Sequence, residues 1–116
     1  MQFSVEVKRL KEGTLYICRG YLQQGGSSEY LFNLLTRPDP KDVIIDVSEL
    51  TVETSGLPVL ALCSQYLTAA RRRLFLQHAP EGLVQDLRLH HGVLLPERTP
   101  TRQAAAAAKA VNGSAY

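Results

Sequence analysis

The sequence contains no apolar run long enough to cross a bilayer, and its N-terminal residues lack the apolar segment of a secretory signal. Cysteine is also scarce, since Cys18 and Cys63 are the only two and lie far apart in the chain. We interpret both as small core residues of a protein in a reducing compartment, not as a disulfide. These absences predict a cytoplasmic protein that does not insert into a membrane.

An excess of charge of one sign is missing from most of the chain. The formal net charge of +2 resides entirely in residues 97–116, because residues 1–96 hold ten basic and ten acidic side chains. A nucleic-acid-binding surface requires a concentration of basic side chains, so the sequence gives no indication of a nucleic-acid partner. Its 116 residues, 45% of them hydrophobic, suit one domain with a modest core.

No residue spacing typical of a metal site or a catalytic centre occurs. There is no Cys-x-x-Cys and no His-Glu-x-x-His. His90 and His91 are adjacent, so on a helix they would point about 100° apart, and we interpret them and His78 as surface or helix-end residues. Gly25-Gly26 precedes a helix but lacks the lysine of a phosphate-binding loop. The sequence therefore predicts no cofactor, no metal and no enzyme activity.

The alternation of apolar and polar residues, and the helical spacing of apolar residues, predict eight secondary-structure elements. Apolar and polar residues alternate over residues 2–10, which indicates a strand with one buried face. The β-branched run Val43-Ile44-Ile45 indicates a central strand covered on both faces. The predicted strands are residues 2–10, 14–19, 42–47, 74–76 and 93–95. The predicted helices begin at Ser27 or Ser28, at Gly56 and near Glu81, and the last one ends at Gly92.

The resulting order is β-β-α-β-α-β-α-β. The first two strands form an antiparallel hairpin, and each later strand-helix-strand unit requires a parallel crossover. We therefore expect an α/β fold with one mixed sheet and helices mainly on one face. Residues 97–116 include five consecutive alanines and show no amphipathic face. We therefore predict a domain over residues 1–96 and an Ala-rich C-terminal tail over residues 97–116.

The stretch from residue 42 to residue 58 places two hydroxyl side chains where a buried strand leads into a helix. The segment Glu53-Thr54-Ser55-Gly56 directly precedes the helical pattern. The start of a helix carries unpaired N–H groups and a partial positive charge, so it favours an anion. Pro58 is harmless only within the first turn, which favours Ser55 as the N-cap, with its hydroxyl bonded to the N–H of Leu57.

This order of residues resembles the STAS domain of bacterial anti-sigma-factor antagonists. In that family an apolar strand ends in Asp-Leu-Ser, and Asp-Ser-Ser-Gly-Leu follows a few residues later at the start of a helix. The matching segments here are Asp46-Val47-Ser48 and residues 53–57, and the likeness extends weakly over about residues 3–95. The resemblance implies a STAS-like fold. It also implies that Ser55 is phosphorylated by an anti-sigma-factor kinase, with Thr54 as the back-up acceptor.

Two positions depart from the pattern of this family. Glu53 stands where the family usually has Asp, and it reaches one methylene further. Gln23 is neutral where the family often has an Asp after the second strand, close to the acceptor. These departures leave open a STAS domain that binds a partner without being phosphorylated, in which Ser55 is only a helix cap.

The resemblance implies a binding switch in which the unphosphorylated chain docks onto an anti-sigma factor with serine-kinase activity, and a serine phosphatase resets it. The expected contact residues are Gln23, Glu53, Thr54, Ser55, Gly56, Leu57 and Leu60. The alternative is a non-phosphorylated accessory subunit of a larger assembly, such as a lipid-transport ATPase or a stress-signalling scaffold. A third hypothesis, a small enzyme that turns over nucleotide, has no motif in its favour.

Overall fold

The computed structural model describes residues 2–93 and 95–98, and in these residues five strands form a single sheet with three α-helices on it. The strands are β1 (Ser4–Arg9), β2 (Thr14–Leu22), β3 (Val43–Val52), β4 (Leu74–Gln77) and β5 (Glu97–Arg98). The helices are α1 (Gly26–Leu35), α2 (Leu57–Ala69) and α3 (Glu81–His91), and a one-turn 3₁₀ helix, called here the 3₁₀ turn (Thr54–Gly56), precedes α2. None of the helices in this part of the chain is long and apolar enough to cross a membrane.

The strands lie in the order β1-β2-β3-β4-β5. The β1–β2 pair is antiparallel and the other pairs are parallel, so the predicted mixed α/β sheet is confirmed. The position predicted for the last strand is wrong, because β4 pairs with Glu97–Arg98 and not with residues 93–95. Val93 and Leu95 are buried in the main core instead, and an apolar run of this kind does not distinguish a strand from a buried connection. Leu94 and residues 99–116 lie outside the described residues, and the domain boundary at residue 96 stays a prediction.

The three helices pack on the same face of the sheet, as predicted. Fully buried leucines from each of them share one core cluster with the strands: Leu31 and Leu35 of α1, Leu60 and Leu67 of α2, and Leu87 of α3. Along β3, Val43, Ile45 and Val47 belong to this cluster, whereas Ile44 belongs to a smaller cluster built only from strand and turn residues. The alternation confirms that β3 is buried on both faces.

Strand β3 extends to Val52, five residues beyond its predicted end, because β2 continues beside it as far as Leu22. The parallel register shifts by one residue between Ile17 and Arg19, which places a bulge in β3 next to Asp46. The Oδ1 atom of Asp46 accepts hydrogen bonds from the N–H and hydroxyl of Ser48 at 2.9 and 2.7 Å. The longer strand carries the chain directly into the 3₁₀ turn.

Both cysteines are free and buried, which confirms their interpretation as core residues. Burial raises the pKa of Cys18 to about 12, and Asp46 adds to that shift. Burial likewise raises the pKa of Cys63 to about 12. Because the thiolate is the nucleophile, neither thiol is poised for reaction.

Candidate functional site

Ser55 is an exposed residue of the 3₁₀ turn, between the end of β3 and the start of α2. Its Oγ atom accepts a hydrogen bond of 3.0 Å from the backbone N–H of Gln24, in the loop between β2 and α1. The predicted N-cap role is wrong, because α2 begins at Leu57 after Gly56 and has no side-chain cap. The 3₁₀ turn supplies a backbone acceptor instead, the Glu53 carbonyl, for the N–H of Gly56 at 2.8 Å. The Ser55 hydroxyl therefore links two loops rather than capping its own helix.

The 3₁₀ turn is fixed against the end of β2 by close backbone packing. The N–H of Glu53 donates to the carbonyl oxygen of Leu22 at 2.9 Å. A Cβ atom added to Gly56 would collide with that same oxygen, although the φ of Gly56, −91°, is available to any residue. Glycine is therefore required at this position for space and not for conformation, and Ser55 is held at a defined distance from β2.

The expected contact residues divide into exposed and buried groups. Gln23, Glu53, Thr54 and Ser55 are exposed, whereas Gly56, Leu57 and Leu60 are buried. Leu57 and Leu60 belong to the main core, so they anchor α2 beneath the turn and present no free surface. Pro58 is the second residue of α2, where no helical hydrogen bond needs its missing N–H.

The β2–α1 loop is folded around the backbone of Gln23. The hydroxyl of Ser27 accepts from the Gln23 N–H at 3.0 Å, and the hydroxyl of Ser28 donates to the Gln23 carbonyl at 2.6 Å. The predicted helix start at Ser27 or Ser28 is therefore displaced: α1 begins at Gly26, and neither serine caps it. Gly25, with a φ of +106°, allows the chain to reverse before the helix. This loop conformation directs the backbone N–H of Gln24 at the Ser55 hydroxyl.

An open groove of about 750 Å³ lies between α1 and α2 and has Ser55 at one end. We call it the α1–α2 groove. The β2–α1 loop and α1 contribute Gln24, Gly25, Ser28, Glu29, Phe32 and Asn33 to its lining. The 3₁₀ turn and α2 contribute Ser55, Pro58, Val59 and Leu62. No sequence pattern predicted this groove, although Leu62 is a large apolar residue that α2 leaves exposed. The groove depends on how two helices pack, which periodicity within one helix does not report.

A buried carboxylate, that of Asp46, lies within β3 opposite the last residue of β4. Asp46 Oδ2 accepts a hydrogen bond from Gln77 Nε2 at 2.9 Å and lies 2.9 Å from His78 Nδ1. Burial alone would raise the pKa of Asp46, but the hydrogen bonds from Ser48, Gln77 and His78 outweigh it and lower the pKa. The hydrogen bonds of Asp46 with Ser48, Gln77 and His78 connect the β3 bulge to the end of β4 and the β4–α3 connection. We therefore assign Asp46 a structural role.

The histidines lie at the surface or at a helix end, as predicted. His78 has a half-exposed side chain next to Asp46, while His90 and His91 lie in the last turn of α3. Over residues 2–93 and 95–98, no three His, Cys, Asp or Glu side chains are grouped so as to hold a metal ion.

The far end of the helices is rich in basic side chains. We define this basic end as Arg37, Lys41, Arg71, Arg72 and Arg73, together with Asp39 and Asp42. Arg72 is buried and donates through Nε to the Lys41 carbonyl at 2.7 Å and through Nη1 to the carbonyls of Arg37 and Leu35 at 3.2 and 3.4 Å. The sequence indicated only that cations suit a helix C-terminus, and it did not distinguish Arg72 as an internal brace.

The fold is a mixed sheet with one helical layer, and an exposed hydroxyl, that of Ser55, lies on the turn before α2. The chain has the STAS fold. A variant of RsbS from Moorella thermoacetica superimposes with a TM-score of 0.64 and 16% identity, over 94% of this chain and 97% of that one. The anti-sigma-factor antagonist SpoIIAA, in its unphosphorylated form, superimposes with a TM-score of 0.61 and 18% identity, over 97% and 99%.

No family model matches the sequence, and no curated protein matches it. At identities of 16% and 18%, the structural likeness establishes the fold, whereas function has to be argued from the site.

Proposed function

We propose that the chain is an anti-sigma-factor antagonist in a partner switch controlled by phosphorylation. In this proposal the unphosphorylated chain binds an anti-sigma factor with serine-kinase activity through the surface around Ser55. The observation that carries the proposal is the exposed Ser55 hydroxyl, held on a rigid turn by Gln24 and by the packing of Gly56 against β2. The fold shared with SpoIIAA, which is described as an anti-sigma-factor antagonist, supports it.

Phosphorylation of Ser55 acts in this proposal through charge and size. A phosphate group adds up to about two negative charges and three acceptor oxygens. It would replace the hydroxyl that now accepts from Gln24, and it would stand two residues from the carboxylate of Glu53. A partner that covers this turn would have to remove water from the dianion, which costs free energy unless the charge is fully paired. The modified chain therefore binds more weakly.

Within this proposal the chain is a substrate and a binding surface and has no catalytic activity of its own. The kinase transfers phosphate from ATP to Ser55, and a serine phosphatase removes it. The two free, buried cysteines support a reducing, cytoplasmic location. Thr54 is also exposed and is the second possible acceptor.

Incubation with a candidate kinase-type anti-sigma factor and ATP, followed by intact-mass analysis, tests the proposal. We expect one phosphoryl adduct in the wild type and in Thr54→Ala, and none in Ser55→Ala. An adduct that persists in Ser55→Ala and disappears in Thr54→Ala would move the acceptor to Thr54. The absence of any adduct, with a kinase that phosphorylates a known substrate in the same preparation, would contradict the switch.

The departures at Gln23 and Glu53 favour one other function. A non-phosphorylated subunit of a lipid-transport ATPase or a stress-signalling scaffold does not need the aspartates that the family pattern has at these two positions, because it has no acceptor hydroxyl to place for phosphoryl transfer. Such a subunit would bind its assembly equally well with and without ATP, and Ser55→Asp would bind as tightly as wild type. Co-purification under both conditions distinguishes it from the switch.

A further inference from the structure

We propose that the α1–α2 groove receives an apolar side chain of the protein partner, and that Glu29 and Glu53 pair with a cationic side chain of that partner. This inference rests on the proposed function and names the chemistry of the surface that docks there. The occupant is a partner segment in which an apolar side chain and a lysine or arginine lie close together.

The shape and composition of the groove favour an apolar occupant. Leu62 is 51% exposed on α2, and Tyr66, one turn further along the same face, is 49% exposed. Phe32 of α1 meets Tyr66 edge to face with ring centroids 5.8 Å apart. Phe32, Pro58, Val59 and Leu62 thus form an apolar floor and wall, and an apolar side chain that covers Leu62 removes this surface from water.

The charges around the groove favour a cation at its Ser55 end. Glu29 is the one charged side chain among the ten described residues that line it, and Glu53 is exposed on the adjoining turn. Residues 23–29 and 53–60, which form the two loops and first helical turns at this end, contain no lysine or arginine. A cationic side chain that docks here meets carboxylates without a competing positive side chain from these segments.

The electrostatic contrast along the groove also gives the occupant a direction. Both α1 and α2 connect parallel strands, so both run from the Ser55 end toward the basic end. Arg37 and Arg71 are exposed just beyond the C-termini of the two helices. A partner segment that lies along the groove is therefore favoured with its cation near Glu29 and any acidic residue near Arg37 and Arg71.

Ser55 lines the same groove, which connects this docking mode to the switch. A cation of the partner next to Glu29 would offset part of the charge of a phosphate on Ser55. The size of the phosphate group at the mouth of the groove therefore has to account for most of the loss of partner binding. Ser55→Asp, which carries charge without the bulk of a phosphate, should therefore weaken binding less than phosphorylation does.

The test measures binding of the full chain to the anti-sigma factor that phosphorylates it, by isothermal titration calorimetry at two salt concentrations. The groove variants are Leu62→Ser and Glu29→Lys. The matched controls on α3 are Leu89→Ser, at a leucine that is 70% exposed, and Glu81→Lys. The three positions other than Leu62 are exposed and Leu62 is half exposed, so thermal melts should confirm that each variant is folded.

We expect each groove variant to bind at least about tenfold more weakly than wild type, as loss of a central contact does, and each control to bind within about twofold. Glu29→Lys should also flatten the salt dependence, and replacing the partner's cation with glutamate should restore binding to Glu29→Lys. If both groove variants bind like the controls while wild type still binds, the inference is wrong and the proposed function stands.

Two other outcomes would also overturn the inference. If wild type neither binds nor is phosphorylated by an active kinase-type anti-sigma factor, the proposed function fails and the inference fails with it. If light scattering shows a dimer of this chain that Leu62→Ser abolishes, the groove is occupied by a second copy and not by an anti-sigma factor.

Discussion

The two ends of the helical layer use their charged side chains differently. At the basic end, Arg72 is buried against three backbone carbonyls, and Arg73 pairs with Asp42 at 2.7 Å. At the Ser55 end, Glu29 and Glu53 are exposed beside an open groove, and backbone contacts hold the turn. Charged side chains therefore stabilise the fold at the basic end, whereas those at the Ser55 end are accessible to another molecule.

This difference follows from what each end of a helix leaves unpaired. The last carbonyls of a helix need donors, and the guanidinium of Arg72 donates to the carbonyl of the last residue of α1, Leu35, and to those of Arg37 and Lys41 beyond it. At the Ser55 end the first N–H groups need acceptors, and backbone carbonyls such as that of Glu53 supply them. Side-chain oxygens at this end are thus left for contacts between loops or between molecules.

The largest effect is expected from removing the hydrogen bonds of Arg72 at the basic end. Arg72→Met keeps the aliphatic stem but removes every donor, so we expect a loss of about 3 kcal/mol in the free energy of unfolding. Arg71→Met, at the neighbouring exposed arginine, should change it by no more than about 0.5 kcal/mol. Urea denaturation of the three proteins measures both. Equal losses in the two variants would show that the contacts of Arg72 do not stabilise the basic end.

Arg72 also shows what the sequence did not reveal. The run Arg71-Arg72-Arg73 indicates a helix C-terminus, and α2 does end just before it. Which arginine points inward depends on the left-handed conformation of Arg71, with a φ of +60°, and on carbonyls more than thirty residues away in the chain. Neither is visible in a local pattern.

A second variant tests whether the Ser55 end is fixed by backbone packing. Gly56→Ala would force a Cβ into the carbonyl oxygen of Leu22, and we expect a loss of about 2 kcal/mol together with slower phosphorylation of Ser55. Gly82→Ala is the control, because a Cβ there meets open space on α3, and alanine should stabilise the helix by up to about 0.8 kcal/mol. A change of the same sign in both variants would contradict the steric explanation.

Much of the fold could be predicted because apolar and polar residues alternate clearly in strands that have one buried face. The β-branched run of β3, the hairpin of β1 and β2, and the end of α3 at the left-handed Gly92 all follow from local chemistry. The last strand was placed wrongly because Val93 and Leu95 pack into the core from a connection. The caps were wrong because Ser27, Ser28 and Ser55 bond to a neighbouring loop rather than to their own helices.

The motif around Ser55 located the candidate site, since residues 53–57 are contiguous in the chain. The groove was not predicted, because Glu29 and Leu62 meet only when α1 and α2 pack together. The bulge at Asp46 likewise depends on Gln77 and His78 from the next strand. A sequence pattern identifies residues that act together within one segment, and it does not identify those brought together by packing.

A smaller effect is expected from the buried carboxylate on the Ser55 side of the sheet. The pKa of Asp46 is below its usual 3.8 in the folded chain, so the stability it adds is present above about pH 4 and is lost as the pH falls through the folded value. Asp46→Asn should cost about 1.5 kcal/mol at pH 7 and progressively less toward pH 3. Denaturation across this pH range, with the exposed Asp86→Asn as control, measures it. A cost that does not change with pH would rule out the carboxylate charge as its source.

The smallest effect on stability is expected at Ser55 itself, in contrast to Arg72. Ser55→Ala removes the acceptor of the Gln24 N–H, but water can replace it at this exposed position, so we expect a change within about 0.5 kcal/mol. Amide hydrogen exchange at Gln24 should nevertheless become faster, because the local bond is lost while the fold remains. Thr54→Ala should leave the exchange rate of Gln24 unchanged. A large global destabilisation by Ser55→Ala would mean that this hydroxyl braces the fold as Arg72 does, and the difference between the two ends would disappear.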